Sequence, residues 1–355
     1  MTWGDKIKIS IFGESHGKAI GAVIDGLPAG EEINLEAVKK QMSRRAPGHD
    51  ATSTKRKESD EPIVLSGMLN GRTTGAPLCA VIMNGDTHSS DYKNITDIPR
   101  PGHADYTAYV KYGGFNDVRG GGHFSGRLTA PLVFAGAVCR QILRRRGIAI
   151  GAHVYSIRNV SDRPFDMADI PPSLLDVLSE RYFPVIDGDA EKKMRAEIEA
   201  AQKKLDSIGG IVECAVTGLP AGLCGPLADG AESGLSSRVF GIPACKGIEF
   251  GAGFSSAGMF GSENNDPFYY VNGKVKTRTN NCGGILGGIT DSMPIVFRAA
   301  FKPTPSIGLE QESVDLTTKE GTQLTVRGRH DPCIVPRAVP AVEAAAAVWA
   351  LSVSI

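Results

Sequence analysis

The sequence predicts one fused domain of mixed α and β elements over residues 1–355, and three observations carry that reading. Stretches alternating apolar and polar residues, such as Ile7, Ile9 and Ile11, are interspersed with stretches of helical period. No Pro-, Ser- or charge-rich linker divides the chain. The pentapeptide Gly26-Leu-Pro-Ala-Gly30 returns as Gly218-Leu-Pro-Ala-Gly222, each time after a strand. Internal duplication would explain the echo; so would the turn chemistry of Pro and Gly alone.

In chain order, Ile7–Ile11 reads as a half-buried strand, followed by the loop Gly13–Lys18 and a second strand at 20–24. Asn34 is placed to cap a helix carrying Leu35, Val38 and Met42, which ends near Arg44-Arg45-Ala46-Pro47-Gly48. Residues 49–62 are polar without a period and read as loop. Ile63–Leu69 and Ala76–Met83 read as strands joined by a turn at Asn70-Gly71. Residues 99–128, rich in glycine and poor in hydrophobics, also read as loop. Thr129 caps a helix with Pro131 in its first turn; Arg144–Arg146 and Gly147 end it. A second amphipathic helix spans Glu191–Ser207, with Met194, Ile198, Ala201 and Leu205 as its stripe. Strands at Ile211–Val216, Pro294–Phe301 and Thr322–Val326 and a helix at Asp229–Phe240 follow. An alanine-rich helix, Pro340–Leu351, must pack closely against something.

Composition narrows the function classes. Thirty-nine Lys+Arg balance 39 Asp+Glu, which argues against a general nucleic-acid binder. The start lacks the apolar core of a signal peptide, and no stretch approaches the ~18 apolar residues of a membrane span. Seven widely spaced cysteines without a C-x-x-C pair fit free thiols in a reducing cytoplasm rather than a disulfide framework. Glycine is in excess, 43 of 355 residues against a usual ~7%. That excess serves tight turns, positive φ or backbone held close to a ligand.

The polar residues of interest sit in three glycine-rich segments: Phe12–Gly17; Arg100–Tyr106 with Arg119–Arg127; and Lys302–Ser306 with Gly328–Cys333. His16 and His103 lie between loop glycines, where an imidazole can project into a ligand site and exchange a proton. His49 and His88, in polar loops, read as solvated; His153, in a strand, as a satisfied core residue. Arg44, Arg45, Arg100, Arg119, Arg127, Arg329 and Arg337 gather around the glycine motifs, and arginine forks match carboxylates and phosphates. Lys55, Arg56 and Lys57 read as surface. Arg119-Gly-Gly-Gly is neither a P-loop nor a dinucleotide fingerprint, and no metal-ligand spacing occurs. These residues point to a small, multiply anionic ligand in glycine-rich loops, with two histidines available for proton transfer.

Taken together the motifs resemble the chorismate synthase family. The segments are Phe12–Gly17, Arg44–Gly48, Arg100–Tyr106, Lys111-Tyr112-Gly113, Arg119–Gly122, Asp206–Gly209, Gly247–Gly253, Gly283–Gly288, Lys302–Ser306, Gly328–Cys333 and Arg337–Pro340, in family order. The resemblance implies an α+β fold with a helical core sandwiched between two antiparallel β-sheets, and a homotetramer. It implies an FMNH2-dependent anti 1,4-elimination of phosphate from 5-enolpyruvylshikimate 3-phosphate, giving chorismate, a lyase step of the shikimate pathway. In the family's mechanism the flavin donates an electron transiently, phosphate leaves, and a hydrogen is lost to flavin N5. No NADPH-binding fingerprint is present, so a separate flavin reductase is expected to supply reduced FMN.

By position, the resemblance assigns His16 to protonating the departing phosphate, His103 to the reduced flavin, and Asp331 to relaying the proton at N5. Ser15, Arg45, Arg127 and Arg329 would hold the substrate. The cofactor would lie along His123, Phe124, Ser125, Pro243, Ala244, Gly283, Lys302, Pro303, Thr304, Pro305, Ser306 and Arg329. Three departures stand out: His123-Phe-Ser-Gly-Arg127 where the family usually has Arg-Ser-Ser-Ala-Arg, Pro243-Ala244 where Asn-Ala is usual, and Ala51 where an arginine is often found. They imply an altered flavin pocket with weaker FMN affinity, and His123 standing in part for the missing arginine. They also motivate a rival reading, a family member that binds flavin or substrate without turnover. A phosphotransferase with a novel glycine loop is a second rival, one that would need a nucleotide and Mg²⁺.

Overall fold

The computed structural model describes residues 1–50, 60–85, 97–326 and 330–355. The expectations for Ala51, Lys55–Lys57, His88 and Arg329 therefore fall outside the described residues. Chain order begins with strands β1 (Thr2–Trp3), β2 (Lys8–Gly13) and β3 (Ala19–Asp25). Helix α1 (Leu35–Arg45) follows, its Asn34 side chain accepting from Ala37 N–H as the sequence predicts. Next come β4 (Pro62–Ser66), the hairpin of β5 (Met68–Leu69) and β6 (Arg72–Thr73), and β7 (Leu78–Met83). Asn70 and Gly71 turn that hairpin at positive φ, 50° and 75°. Then come α2 (Asp105–Tyr112) and α3 (Thr129–Arg145).

The second half opens with β8 (Ala149–Ile157), β9 (Val160–Ser161), α4 (Pro172–Leu178), α5 (Gly188–Lys203) and β10 (Gly210–Thr217). It continues through α6 (Ala231–Val239), β11 (Cys245–Phe250), the single turn α7 (Gly261–Asn264) and a hairpin of β12 (Phe268–Val271) and β13 (Lys274–Thr277). A further small hairpin, β14 (Ile285–Leu286) and β15 (Ile289–Thr290), leads into β16 (Ile295–Phe301). The hairpin β17 (Glu310–Asp315) and β18 (Glu320–Thr325) precedes the terminal helix α8 (Val335–Ser354).

Two antiparallel sheets result, ordered β1-β2-β3-β7-β4 and β11-β16-β10-β8-β9. Placed side by side, β2-β3-β7-β4 and β8-β10-β16-β11 have the same order and the same antiparallel pairing, with helix α1 matched by α6 and α3 by α8. The repeated pentapeptides occupy equivalent turns and make equivalent bonds. Gly30 N–H donates to Thr73 O, and Gly222 N–H to Thr290 O, both at 2.8 Å. The Thr73 hydroxyl donates to Pro28 O at 2.6 Å, and the Thr290 hydroxyl to Pro220 O at 2.7 Å. Turn chemistry alone does not produce a shared sheet order, so the duplication reading stands.

The helical layer lies between the sheets, as the resemblance implies. Helix α3 packs on β3, α8 on β8 and β10, and the two helices on each other. Their contact explains the alanine-rich end: a Cβ at Gly136 would stand 2.3 Å from Ala344 Cα, so only a side-chain-free surface lets the axes approach. Trp349, Phe134 and Phe297 are fully buried in this core, each contributing roughly 1.5–3 kcal/mol through apolar burial. Its one fully buried carboxylate on α8, Glu343, receives Arg44 Nη1 at 2.6 Å, Arg140 Nη1 at 2.8 Å and Ala152 N–H at 3.0 Å. Burial pushes that carboxyl up, but the two arginines outweigh it and hold it below its ordinary value.

Several sequence expectations are corrected. Residues 99–128 are not all loop, because they contain α2. The helix expected over Glu191–Ser207 begins at Gly188, capped by Asp187, and ends at Lys203. Leu205, assigned to its buried stripe, instead turns the chain at φ 58° and is exposed. The last helix starts five residues before Pro340, which lies inside it. All seven cysteines are free thiols; Cys139, Cys214, Cys245 and Cys333 are buried, and Cys79, Cys224 and Cys282 half-buried. No helix among the described residues is long and apolar enough to cross a membrane.

Candidate active site

A cavity of about 680 Å³ opens where the two halves meet, within the range of small-molecule and cofactor sites. Its wall is drawn from the ends of α1 and α6 and from the segments that lead into α3 and α8. The run Gly120-Gly121-Gly122 forms one side, with φ of 60°, 84° and 53°. These values admit only glycine without strain. Two of the three also leave room for a histidine. A Cβ on Gly120 would lie 2.3 Å from Cε1 and Nδ1 of His16 and 2.7 Å from Ser15 Oγ. A Cβ on Gly121 would lie 3.1 Å from His103 Nε2. The two histidines, 87 positions apart in the chain, thus stand against neighbouring glycines of one cleft.

Each histidine is fixed by its surroundings. The loop bearing Ser15 and His16 is tied down by Ser15 N–H to Gly122 O at 3.1 Å. Asn84 Nδ2 reinforces it, donating to Glu14 O at 3.0 Å and Gly17 O at 2.8 Å. Ser15 and Gly120 line the cavity, with the buried His16 ring directly behind Gly120. His103 Nδ1 sits 2.5 Å from Asp105 Oδ1. Arg100 Nε and Nη2 grip the same carboxylate at 2.7 and 2.8 Å. Burial raises the Asp105 carboxyl, but the hydrogen bonds from Arg100 and His103 outweigh it, leaving the group far below the usual carboxylate range. An ionised Asp105 accepting Nδ1–H orients the ring, and Nε2 is the nitrogen turned toward Gly121.

The arginines come in carboxylate-bound pairs. Arg45 Nε donates to Asp60 Oδ2 at 3.0 Å, and its Nη2 reaches the same oxygen. Arg127 Nη1 takes Asp60 Oδ1, while Arg127 Nε donates to Asn84 Oδ1 at 3.1 Å. All three charged groups are buried. Burial pulls the Arg45 guanidinium down, Asp60 pulls it up, and Arg337 and Arg127 pull it down again, with a net lowering. Burial raises the Asp60 carboxyl, but Arg45 and Arg127 win and hold it below its ordinary value. Asp60 also has φ 48°, a left-handed backbone that Asp tolerates better than most residues. Arg337, from the first turn of α8, donates Nε–H to Arg45 O at 2.9 Å and pairs through Nη1 with Asp331. Thr304 Oγ1 donates to Asp331 O at 2.9 Å, joining the Lys302–Ser306 loop to the same wall.

The chain belongs to the chorismate synthase family. The family's sequence model, described as chorismate synthase, matches residues 7–354. A protein named chorismate synthase from Thermococcus gammatolerans is 50% identical over 341 residues, 96% of this chain and 94% of the relative. One from Pyrococcus abyssi is 49% identical over 340 residues, covering 96% and 93%. One from Methanosarcina barkeri is 45% identical over 346 residues, covering 98% and 93%. A solved structure titled "Crystal Structure of Chorismate Synthase" superposes with a TM-score of 0.78 at 27% identity, covering 99% of this chain and 92% of that one.

Most positions singled out from the family's motifs meet at the cavity. Ser15, Arg45, His103, His123, Phe124, Ser125, Arg127, Ala244, Lys302, Thr304, Pro305, Ser306 and Asp331 all line it, as does Pro243. His123 and Phe124 stack at 4.3 Å between ring centroids, with Tyr112 edge-on to His123. Ala244 is held at φ 69°, a strained backbone for a residue with a Cβ. Gly283 stands apart from them. It does not line the cavity, because its φ of 68° serves a turn packed on Gly251, whose N lies 2.5 Å from where a Cβ would be. Pro303 likewise faces Gly209 rather than the cavity. Arg329 lies outside the described residues.

Of the other histidines, His153 is the satisfied core residue expected, its Nδ1–H donating to Asp162 Oδ2 at 2.8 Å and its Nε2–H to Glu213 Oε2 at 2.9 Å. His49 is exposed, as expected, and stacks on Tyr182. Three residues escaped the sequence reading: Asp60, Asn84 and Asp105, each the partner of a basic group that was noticed. Only Asp105, two residues from His103 and five from Arg100, gave a spacing that could have betrayed it.

Proposed function

We propose that this cavity carries out the anti 1,4-elimination of phosphate from 5-enolpyruvylshikimate 3-phosphate, with reduced FMN as cofactor, giving chorismate. In the net change one C–O bond to phosphate and one C–H bond break and a double bond forms. His16 and His103 meeting on Gly120 and Gly121 of one cleft is the observation that supports it. Arg45 and Arg127 present guanidiniums to the substrate's carboxylates and phosphate, and Asp60 bridges the buried pair. His16 donates a proton to the departing phosphate, whose leaving improves as its charge falls. Arg337 holds Asp331 on the wall ready to move a proton.

The residues present fit a flat heteroaromatic cofactor with a phosphate. His123 and Phe124 offer an aromatic face, and the strained Ala244 brings backbone to the wall. Trp3 Nε1 and Arg238 Nε are buried donors without a hydrogen-bond partner among the described residues, and both residues line the cavity. The chemistry a bound dihydroflavin supplies is transient electron donation and uptake of the departing hydrogen. Ser125, Pro243, Ala244, Lys302 and Thr304–Ser306 hold it, and His103 Nε2 stands ready to hydrogen-bond it. The single domain 1–355 works in a cytoplasmic homotetramer, with reduced flavin supplied by a separate reductase.

Turnover by His16→Ala and His103→Ala, assayed anaerobically with reduced FMN, tests the assignment. General acid–base roles predict losses of ~10²–10⁴-fold in each. Full activity in either variant would remove that residue from the mechanism.

A further inference from the structure

One end of the cavity holds two donors, unbonded among the described residues, to which the reading above gives no particular group of the ligand. There the last turn of α6 meets the N-terminal strand: Trp3, Ser237, Arg238, Phe240, Gly241 and Ile242 form the wall. Arg238 is 7% exposed, deep for a guanidinium. Its Nη1 donates to Gly234 O at 2.8 Å, and Nη2 stands 3.7 Å from the exposed carboxylate of Asp5. Nε has no partner among the described residues, nor has Trp3 Nε1, two residues from Asp5. Burial pulls the guanidinium down from its ordinary value and Asp5 only partly restores it. A buried N–H left unbonded costs about 1–3 kcal/mol, so two on one wall ask for an acceptor.

The duplication says what kind. Helices α1 and α6 are equivalent, and Arg45 and Arg238 both stand in their last turns, facing the cavity. The first half's arginine is spent on Asp60; among the described residues Arg238 meets no buried carboxylate, only the exposed Asp5 of the N-terminal segment. Arg238 is also close to the residues that receive the flavin. Gly241 N–H returns to Arg238 O, Ile242 N–H to Val239 O and Cys245 N–H to Ile242 O, folding 238–245 into consecutive tight turns that end at Ala244.

Resting on the flavin reading above, we propose that Arg238 and Trp3 Nε1 form a subsite for a phosphomonoester, the one at the end of the FMN side chain. The substrate carries the same group, but its phosphate is placed at the His16 wall, so the experiment separates the two sources. Oxidised FMN and riboflavin, which differ only in the phosphate, are titrated by flavin fluorescence against wild type, Arg238→Ala, Arg238→Lys and Trp3→Phe. Arg238→Ala is expected to weaken FMN ~10–100-fold and riboflavin less than about twofold, with Lys restoring part of the loss. Trp3→Phe keeps the ring and removes the donor, and should weaken FMN alone, about 3–10-fold. Added inorganic phosphate should compete with FMN on wild type and not on Arg238→Ala, a readout that holds even where riboflavin binds too weakly to follow. Equal losses for both flavins, no loss for either, or a loss confined to the phosphorylated substrate would overturn the subsite. Failure of wild type to bind FMN at all would instead overturn the flavin reading.

Discussion

An alanine at position 120 would place its Cβ 2.3 Å from Cε1 and Nδ1 of His16. Carbon contacts settle near 3.5 Å, so the ring must retreat by about 1 Å. His16 is buried and its loop is pinned through Ser15 and Asn84, which leaves the imidazole to swing rather than the backbone to yield. A 1 Å displacement of a catalytic group can cost ~10²-fold in rate. The same substitution forces a β-carbon into φ 60°, at about 1–2 kcal/mol. The two costs separate with Gly30→Ala, whose φ is 82° but whose Cβ would meet nothing within 4 Å, remote from the site. Phosphate release with reduced FMN and thermal unfolding are measured on both variants. Both should lose a few degrees in Tm; only Gly120→Ala should lose turnover, by ~10²-fold. Wild-type turnover in Gly120→Ala, or an equal loss in Gly30→Ala, would refute the claim that this glycine exists to seat His16.

Two further predictions concern buried charge. Asp60→Asn leaves Arg45 and Arg127 without their shared anion and should lower unfolding stability by about 3–5 kcal/mol in denaturant titrations. Because the Asp60 carboxyl is depressed in the fold, its contribution is present above the unfolded value near 4 and lost as pH falls through the folded one; wild type should therefore lose its advantage over Asp60→Asn in acid, and a constant gap would contradict this. His153 is the reverse case: burial would lower it, but Asp162 and Glu213 outweigh burial and raise it. Its stabilising contribution is fully present below about 6.5 and fades as pH rises through the folded value. Tm from pH 6 to 9 should drop more steeply for wild type than for His153→Gln, and parallel curves would remove the imidazolium from the argument.

What the sequence made legible follows from how each feature is encoded. Strands β2 and β7 were readable because one face of each is buried, so Ile9 and Ile11, and Leu78, Ala80 and Ile82, alternate with exposed or half-exposed residues, whereas β8 and β10 are buried on both faces and carry no such alternation. Helix α2 was not, because it buries only Asp105 and Ala108 and exposes Tyr106, Tyr109 and Val110; there is no apolar stripe to detect. The site's histidines and arginines announced themselves through glycine. Their partners did not. Asp60 sits beside other charged residues in a stretch without period, and its role depends on two arginines from different elements closing on it. Arg238 was hidden for a related reason: a basic residue in the last turn of a helix is explained well enough by the helix dipole, and only the missing acceptor for Nε marks it as more.

The position of the cavity is a consequence of the duplication. In each half the strand that pairs with the pentapeptide strand, β7 or β16, is separated from the core helix, α3 or α8, by a connection of more than 30 residues. The first segment carries Arg100, His103 and the glycine run; the second carries Lys302–Ser306 and Asp331. Because α3 and α8 cross closely at Gly136 and Ala344, their N-terminal approaches converge, and so do the ends of the equivalent helices α1 and α6. A doubled scaffold therefore builds one cleft with two walls of like origin and unlike side chains. That geometry suits the reaction proposed above, in which an anionic substrate and a flavin would share one cleft. It also requires both halves to remain locked, which is the work of Glu343: one carboxylate on α8 that holds α1 through Arg44, α3 through Arg140 and β8 through the Ala152 amide.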